Sequence, residues 1–122
     1  MSRKTKPVFT GVLKYFPDAI MEVARCSWAG NQQHHPDKPL HWDREKSNDH
    51  LDALARHLIQ AGQIDDDGIA HSAKVAWRAL ANLQLEIEKR EQREILKDII
   101  KADEKDGLYD EPFNIKNTLS IK

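Results

Sequence analysis

Between Ile69 and Ile87 the apolar residues Ile69, Ala73, Ala76, Trp77, Leu80, Leu83 and Ile87 recur at helical spacing. A stripe of that period over about five turns defines an amphipathic helix whose apolar side must be covered by other parts of a fold. The spacing predicts a helix from near Ile69 to about Lys101. From Glu86 to Lys105 charges of alternating sign dominate, the pattern of a solvated or oligomer-forming extension.

Two shorter helices precede it. Pro17 and Asp18 suit a first turn, because proline lacks the N–H that a helix start leaves orphaned and a carboxylate complements the dipole. Ile20, Val23, Ala24 and Trp28 give this helix an apolar side, and Gly30 and Asn31 predict its end. Ser47 reads as the cap of a second helix ending at Gly62. On it Leu51, Leu54, Ala55 and Leu58 share one side, while Asp49, Asp52 and Arg56 point the other way and His50 and His57 flank the polar side. Residues 31–45 carry two prolines and read as an irregular loop, long enough to be functional and anchored by Leu40 and Trp42. Gln63 to Gly68 reads as an acidic turn. The expected fold is all-α: a small helical bundle with a long loop between its first and second helices. Residues 1–10 form a flexible lead, 11–105 one helical domain and 106–122 an extended tail. Strand signal is weak, with Val8 to Leu13 and Asn114 to Ile121 the only segments that could pair.

Composition narrows the function. The 122 residues carry a net charge of −1, so no global positive field draws the chain to nucleic acid, and direct nucleic-acid binding is not expected. No apolar run approaches the roughly 20 residues of a membrane span, and the basic opening lacks the apolar core of a signal peptide. The single cysteine, Cys26, suits a reducing compartment and reads as a structural thiol. The cytoplasm is the expected location. With 39% hydrophobic and 32% charged residues the core is modest, and a homodimer or homotetramer is the expected way to complete it.

All six histidines fall between positions 34 and 71, which concentrates the chemistry there. Asp49 and Asp52, spaced i and i+3, project from one face of the second helix and can share a hard cation. Glu22, Asp65 and Asp67 could complete a magnesium site; the competing reading makes Asp49 a helix-start charge and Asp52 a solvated surface residue. Arg56, His57, His71, Lys74 and Arg78 could pair with phosphates, or with the acidic turn or a second subunit. There is no Gly-rich phosphate loop, no dinucleotide fingerprint and no zinc-finger or metalloprotease spacing. His57, His71, Asp52 and Asp65 imitate a histidine–aspartate metal hydrolase but lack its adjacent His-Asp pair, and the third helix is not basic enough at its start for a DNA-recognition helix.

Three ordered motifs carry a family resemblance. They are Ala29-Gly30-Asn31 with His34 and Pro39-Leu40-His41-Trp42; Lys46-Ser47, Asp49 and Asp52-Ala53-Leu54-Ala55-Arg56-His57-Leu58; and Asp65-x-Asp67-Gly68-x-x-His71 running on to Trp77-Arg78-Ala79-Leu80. Over about residues 11–88 the chain resembles the phage dATP/dGTP diphosphohydrolase N-terminal domain family. The resemblance implies an all-α fold related to the MazG-type nucleotide pyrophosphohydrolases. These are oligomers that bind Mg2+ through helix-borne carboxylates and release pyrophosphate from a (d)NTP, in some phages to remodel the deoxynucleotide pool. It implies catalytic roles for Asp49, Asp52 and Lys74, and metal binding by Glu22, Asp49, Asp52, Asp65 and Asp67, with Mn2+ able to replace Mg2+. Binding of a purine (deoxy)nucleotide would involve Asn31, His34, Trp42, Lys46, Arg56, His57, His71 and Arg78. The chain departs from the MazG pattern of two glutamate-rich pairs: only Asp49-x-x-Asp52 matches one, and Gln63 stands where other members carry glutamate. Two other readings stay open. One is a module that sequesters a nucleotide, such as an immune signalling nucleotide, without cleaving it; the other is a protein that docks to a host or phage partner through its charged helix and tail.

Overall fold

The computed structural model describes residues 2–106, and the expected tail at 106–122 falls outside them from residue 107 onward. Helix α1 spans Pro17–His34, α2 His50–Ile59 and α3 His71–Asp106. The fold is an all-α small helical bundle, as the periodicity predicted. Among the described residues, 2–82 form one compact unit and a second begins at Leu83. In place of a pairing strand, Phe9–Leu13 forms a π-helical turn, and Arg3–Thr5 in the expected flexible lead forms a short 3-10 turn.

The helix ends differ from expectation for local reasons. α1 runs past Gly30 and Asn31 because neither residue takes a left-handed backbone; among the described residues only Gly62 and Gly68 do, at φ of 92° and 81°. What stops α1 is Pro36, whose ring forces the preceding residue out of helical geometry, and His35 sits at φ −143°, ψ 59°. Asn31 turns back at this end, its amide donating to the carbonyls of His35 and Lys38 at 3.4 and 3.1 Å, and so stitches the helix to the loop. The N-cap position of α2 is Asp49, not Ser47, which instead donates its hydroxyl to Asp49 Oδ1 at 2.7 Å.

α3 begins two residues later than the stripe indicated, because Ile69 and Ala70 belong to a tight hairpin. Asp65 N–H donates to the Ile69 carbonyl at 2.9 Å, His71 N–H to the Gln63 carbonyl at 3.0 Å, and Gly68 N–H closes the turn onto the Asp65 carbonyl at 2.9 Å. Gly68 supplies the positive φ that this turn requires.

The core of the first unit is small and made mostly of alanine: Ala29, Ala53, Ala73 and Ala81 are buried, and Ala29 and Ala73 pack against one fully buried large side chain, Ile69. Ala29 of α1 and Ala73 of α3 share this cluster with Ile69, and the Trp77 indole N–H donates to the Ser27 hydroxyl. The far end of the α3 stripe is open, with Leu80 and Leu83 half exposed. α2 is turned over relative to its expected orientation. Its buried residues are His50 and Ala53, with His57 half-buried on the same face, while Leu51, Leu58 and Ile59 face outward. Leu40, expected to anchor the loop, is 62% exposed.

In the second unit α3 continues as a charged helix with i,i+3 and i,i+4 contacts, Lys97 with Glu94 at 3.6 Å and Gln84 with Glu88 at 2.9 Å.

Candidate functional site

Turning the histidine face of α2 inward creates a polar interior, and that interior opens as a cleft of about 610 Å³. Volumes of a few hundred to about 1,000 Å³ are those of small-molecule sites. Residues from the end of α1, the loop, the start of α2 and the first turns of α3 line it. Five of the six histidines, His34, His35, His41, His50 and His57, are among the lining residues.

Its centre is an aromatic and cationic cluster. The Trp42 and Trp77 rings meet edge to face at 5.9 Å, and His50 lies 6.4 and 6.2 Å from them. Trp42 is therefore the loop anchor it was expected to be, with the Arg44 guanidinium 4.3 Å above its ring. Arg78 reaches in from α3 and donates to Ser47 Oγ at 3.0 Å and to His50 Nδ1 at 3.1 Å. A guanidinium can only donate, so Nδ1 of His50 is an acceptor and its ring proton sits on Nε2. Burial and the Arg78 charge both push the His50 pKa down, which keeps that neutral tautomer.

Three buried polar atoms in the described residues have no partner: Asn31 Oδ1, His35 Nε2 and His50 Nε2. All three belong to residues that line this cleft. The Asn31 orientation is set by its two carbonyl partners, so the unpartnered atom is an acceptor, whereas His50 offers an unpartnered donor.

At the back of the cleft the hairpin brings its acids to one cation. Lys74 Nζ donates to Asp65 Oδ2 at 2.6 Å and to Asp67 Oδ2 at 2.7 Å. The Lys74 bond and the Asp66 backbone N–H hold Asp65 down at about 2. Burial acts to raise Asp67, but Lys74, the Ile69 N–H and Gln33 outweigh it and the net shift is downward. Burial likewise acts against the Lys74 charge, and its bonds to both carboxylates overcome this and raise its pKa. A carboxylate depressed in the folded state stabilises the fold above its unfolded pKa, and that contribution fades as pH falls through the folded value. Lys74→Met should therefore move the Asp65 midpoint from about 2 toward the ordinary 3.8 and raise that of Asp67, read as carboxyl chemical shifts against pH. Unchanged midpoints would refute the assignment of Lys74 as their shared partner.

Of the residues singled out in the sequence, Asn31, His34, Trp42, Lys46, His57, Asp67, Lys74 and Arg78 line the cleft. Asp65 and His71 lie beside it, His57 Nδ1 facing His71 Nδ1 at 2.9 Å. Glu22, Asp49, Asp52 and Arg56 are not among the lining residues. Glu22 is half exposed and paired with Arg25 at 3.7 Å. Asp49 is held below the usual carboxylate range by Ser47 and then by Arg56, which lies 3.3 Å away, and Asp52 is exposed on α2. Sequence reading passed over His35, His50 and Trp77 as site residues; the histidine clustering pointed to the region, but their inward direction follows from how α2 packs. Cys26 also lines the cleft, and burial pushes its thiol pKa up, the state of an inert thiol.

Fold and site together define an all-α domain built around a histidine-lined cleft. The model of one protein family, dATP/dGTP diphosphohydrolase, N-terminal, matches residues 2–95, and the chain belongs to that family. No curated protein and no solved structure is significantly similar to the chain. No helix of the described residues is long and apolar enough to cross a membrane.

Proposed function

We propose that the cleft binds a purine deoxynucleoside triphosphate and that the protein hydrolyses it to the monophosphate and pyrophosphate. The observation that carries this reading is the set of three unpartnered buried atoms in one cleft with Arg78 and Lys46. A buried polar atom without a partner costs about 1–3 kcal/mol, so a ligand that satisfies all three is strongly favoured. A purine edge presents both donors and acceptors, which suits the acceptor of Asn31 and the donor of His50. Trp42 and Trp77 supply aromatic surface for the base. Arg78, fixed by Ser47 and His50, and Lys46 are the cations for the phosphates. Family membership points to the same substrate class and to cleavage.

Mg2+ (or Mn2+) is the cofactor that the resemblance implies. Mg2+ takes a near-octahedral shell of oxygen atoms. Glu22, Asp49 and Asp52 are not among the lining residues, and Asp67 and the Oδ2 atom of Asp65 already share the Lys74 ammonium. That carboxylate set does not fit a magnesium ion held by the protein, and no catalytic step is assigned to one. Lys74 acts here as the clamp on the hairpin. The same dispersion favours a second reading, in which the cleft retains a nucleotide without cleaving it. Self-association of two or four copies would cover the outward Leu51, Leu58 and Ile59.

Incubation of the full chain with each (d)NTP and Mg2+ or Mn2+, with products separated by chromatography, tests both readings. Monophosphate and pyrophosphate from dATP or dGTP are the expected products. Calorimetric binding without turnover would establish the second reading, and absence of both binding and turnover would overturn the two together.

A further inference from the structure

The elements behind the cleft converge on a second set of groups. His57 lies in the last turns of α2, Asp65 in the hairpin turn, and His71 is the first residue of α3. One nitrogen or oxygen atom from each lies within 4.8 Å of the others, and no other group of three histidine, cysteine or acidic residues among the described residues is so placed. We propose that His57, Asp65 and His71 bind a divalent first-row transition-metal ion of the manganese-to-zinc series at the back of the cleft.

The geometry has room for an ion between the donors. The two imidazoles present Nδ1 atoms to each other at 2.9 Å, with ring planes tilted by 35°. Two nitrogens 2.9 Å apart, each on a metal bond of about 2.1 Å, subtend roughly 90° at the metal, a cis angle of an octahedral site. Without an ion the facing nitrogens can share one proton at most. His71 is 5% exposed, a buried imidazole whose position is set by its backbone bond to Gln63. Asp65 is oriented independently: Lys74 holds Oδ2, while Oδ1, 3.9 Å from His71 Nε2, takes the Asp66 backbone N–H. Partners of this kind behind a ligand fix its direction. Lys74 in turn is held by Asp67, which the Ile69 N–H and Gln33 secure.

The donor set decides the class of ion. Two imidazoles and one carboxylate suit manganese, iron, cobalt, nickel or zinc, whereas magnesium and calcium select oxygen throughout. Three protein ligands leave positions for water or a phosphate oxygen, and His57 itself lines the cleft, so those positions are accessible to its occupant. A metal there lowers the pKa of a bound water toward neutrality. The site stands on its own geometry and does not depend on the hydrolase reading.

The test uses the full chain, stripped with a chelator and without nucleotide. Titration with Co2+ followed by visible absorption should show one ion per chain, and a large excess of Mg2+ should not displace it. His57→Ala and Asp65→Asn should each weaken Co2+ binding by about 100-fold or more. Circular dichroism establishes that each variant is folded, and Asp65→Asn keeps the shape of the turn if His57→Ala does not fold. No Co2+ or Mn2+ binding by the parent protein, or binding of undiminished strength in a folded variant, overturns the proposal. The pair would then be a shared-proton contact only. Because nucleotide is absent throughout, that result leaves the diphosphohydrolase reading untouched, just as loss of turnover on every (d)NTP would leave the metal site standing.

Discussion

Arg78→Ala is expected to reduce kcat/KM on the purine deoxynucleotide substrate by about 10²- to 10³-fold, the usual cost of losing a preorganised donor to a phosphate that gains charge in the transition state. Arg78 is set in place by two bonds from one nitrogen, to Ser47 and to His50, and lies 5.7 Å from the Trp77 ring, which leaves the rest of its fork for an anion in the cleft. Its removal has a second consequence. His50 is 4% exposed, and without Arg78 its Nδ1 becomes a buried acceptor with no donor, a destabilisation of about 1–3 kcal/mol. The two effects separate experimentally. Assayed well below the melting temperature, the variant should lose kcat/KM while remaining folded, and urea denaturation should show the stability loss apart from it. Arg78→Lys keeps the charge but not the fork, and should fall between parent and alanine in both measurements. Activity within a few-fold of the parent in folded Arg78→Ala would remove Arg78 from the phosphate site.

The importance of Arg78 was only half visible in the sequence, and α2 shows why. Its leucines are spaced as an apolar face, so covering them is the simplest expectation from periodicity. The structure buries His50, Ala53 and His57 because those histidines meet specific partners: Arg78 and the two tryptophans for His50, and His71 for His57. All of these partners but Trp42 come from residues more than ten positions away, and a helical wheel holds no trace of them. The α3 stripe was legible because a period that long tolerates few alternatives, yet it did not reveal that Leu80 and Leu83 would stay half exposed. The i,i+3 spacing of Asp49 and Asp52 put both acids on the second helix, whereas Asp49 stands at its N-cap and only Asp52 within it; what they face depends on packing, and neither is among the residues that line the cleft. The acidic turn was legible because Asp65 to Gly68 is local chemistry, and the histidine clustering marked the stretch that lines the cleft without saying which rings turn inward.

The largest effect on folding is expected from Ile69→Ala, with a loss of about 2–4 kcal/mol in urea denaturation. Domains of this size have about 5–15 kcal/mol in total, so a single truncation removes a large fraction. The size of the loss follows from the composition of the core. Among the described residues Ile69, at 1% exposure, is the only large side chain that is fully buried, and its buried neighbours Ala29 and Ala73 have no longer side chains to swing into the space. The cavity would therefore stay open, which places the cost high in the range for such substitutions. Ile69→Val removes one methylene and should cost about 0.5–1.5 kcal/mol. The consequence reaches the site, because the Ile69 backbone ties both acids of the hairpin: its N–H bonds Asp67 Oδ1 at 3.0 Å and its carbonyl accepts from Asp65 N–H at 2.9 Å. Loosening Ile69 frees the turn that Lys74 clamps. Hydrogen exchange at the Asp65 and Ile69 amides should accelerate in Ile69→Ala more than at amides in the Glu86–Lys105 part of α3, which belongs to the other unit. A loss under 1 kcal/mol for Ile69→Ala would mean that the alanine-rich core does not depend on this side chain.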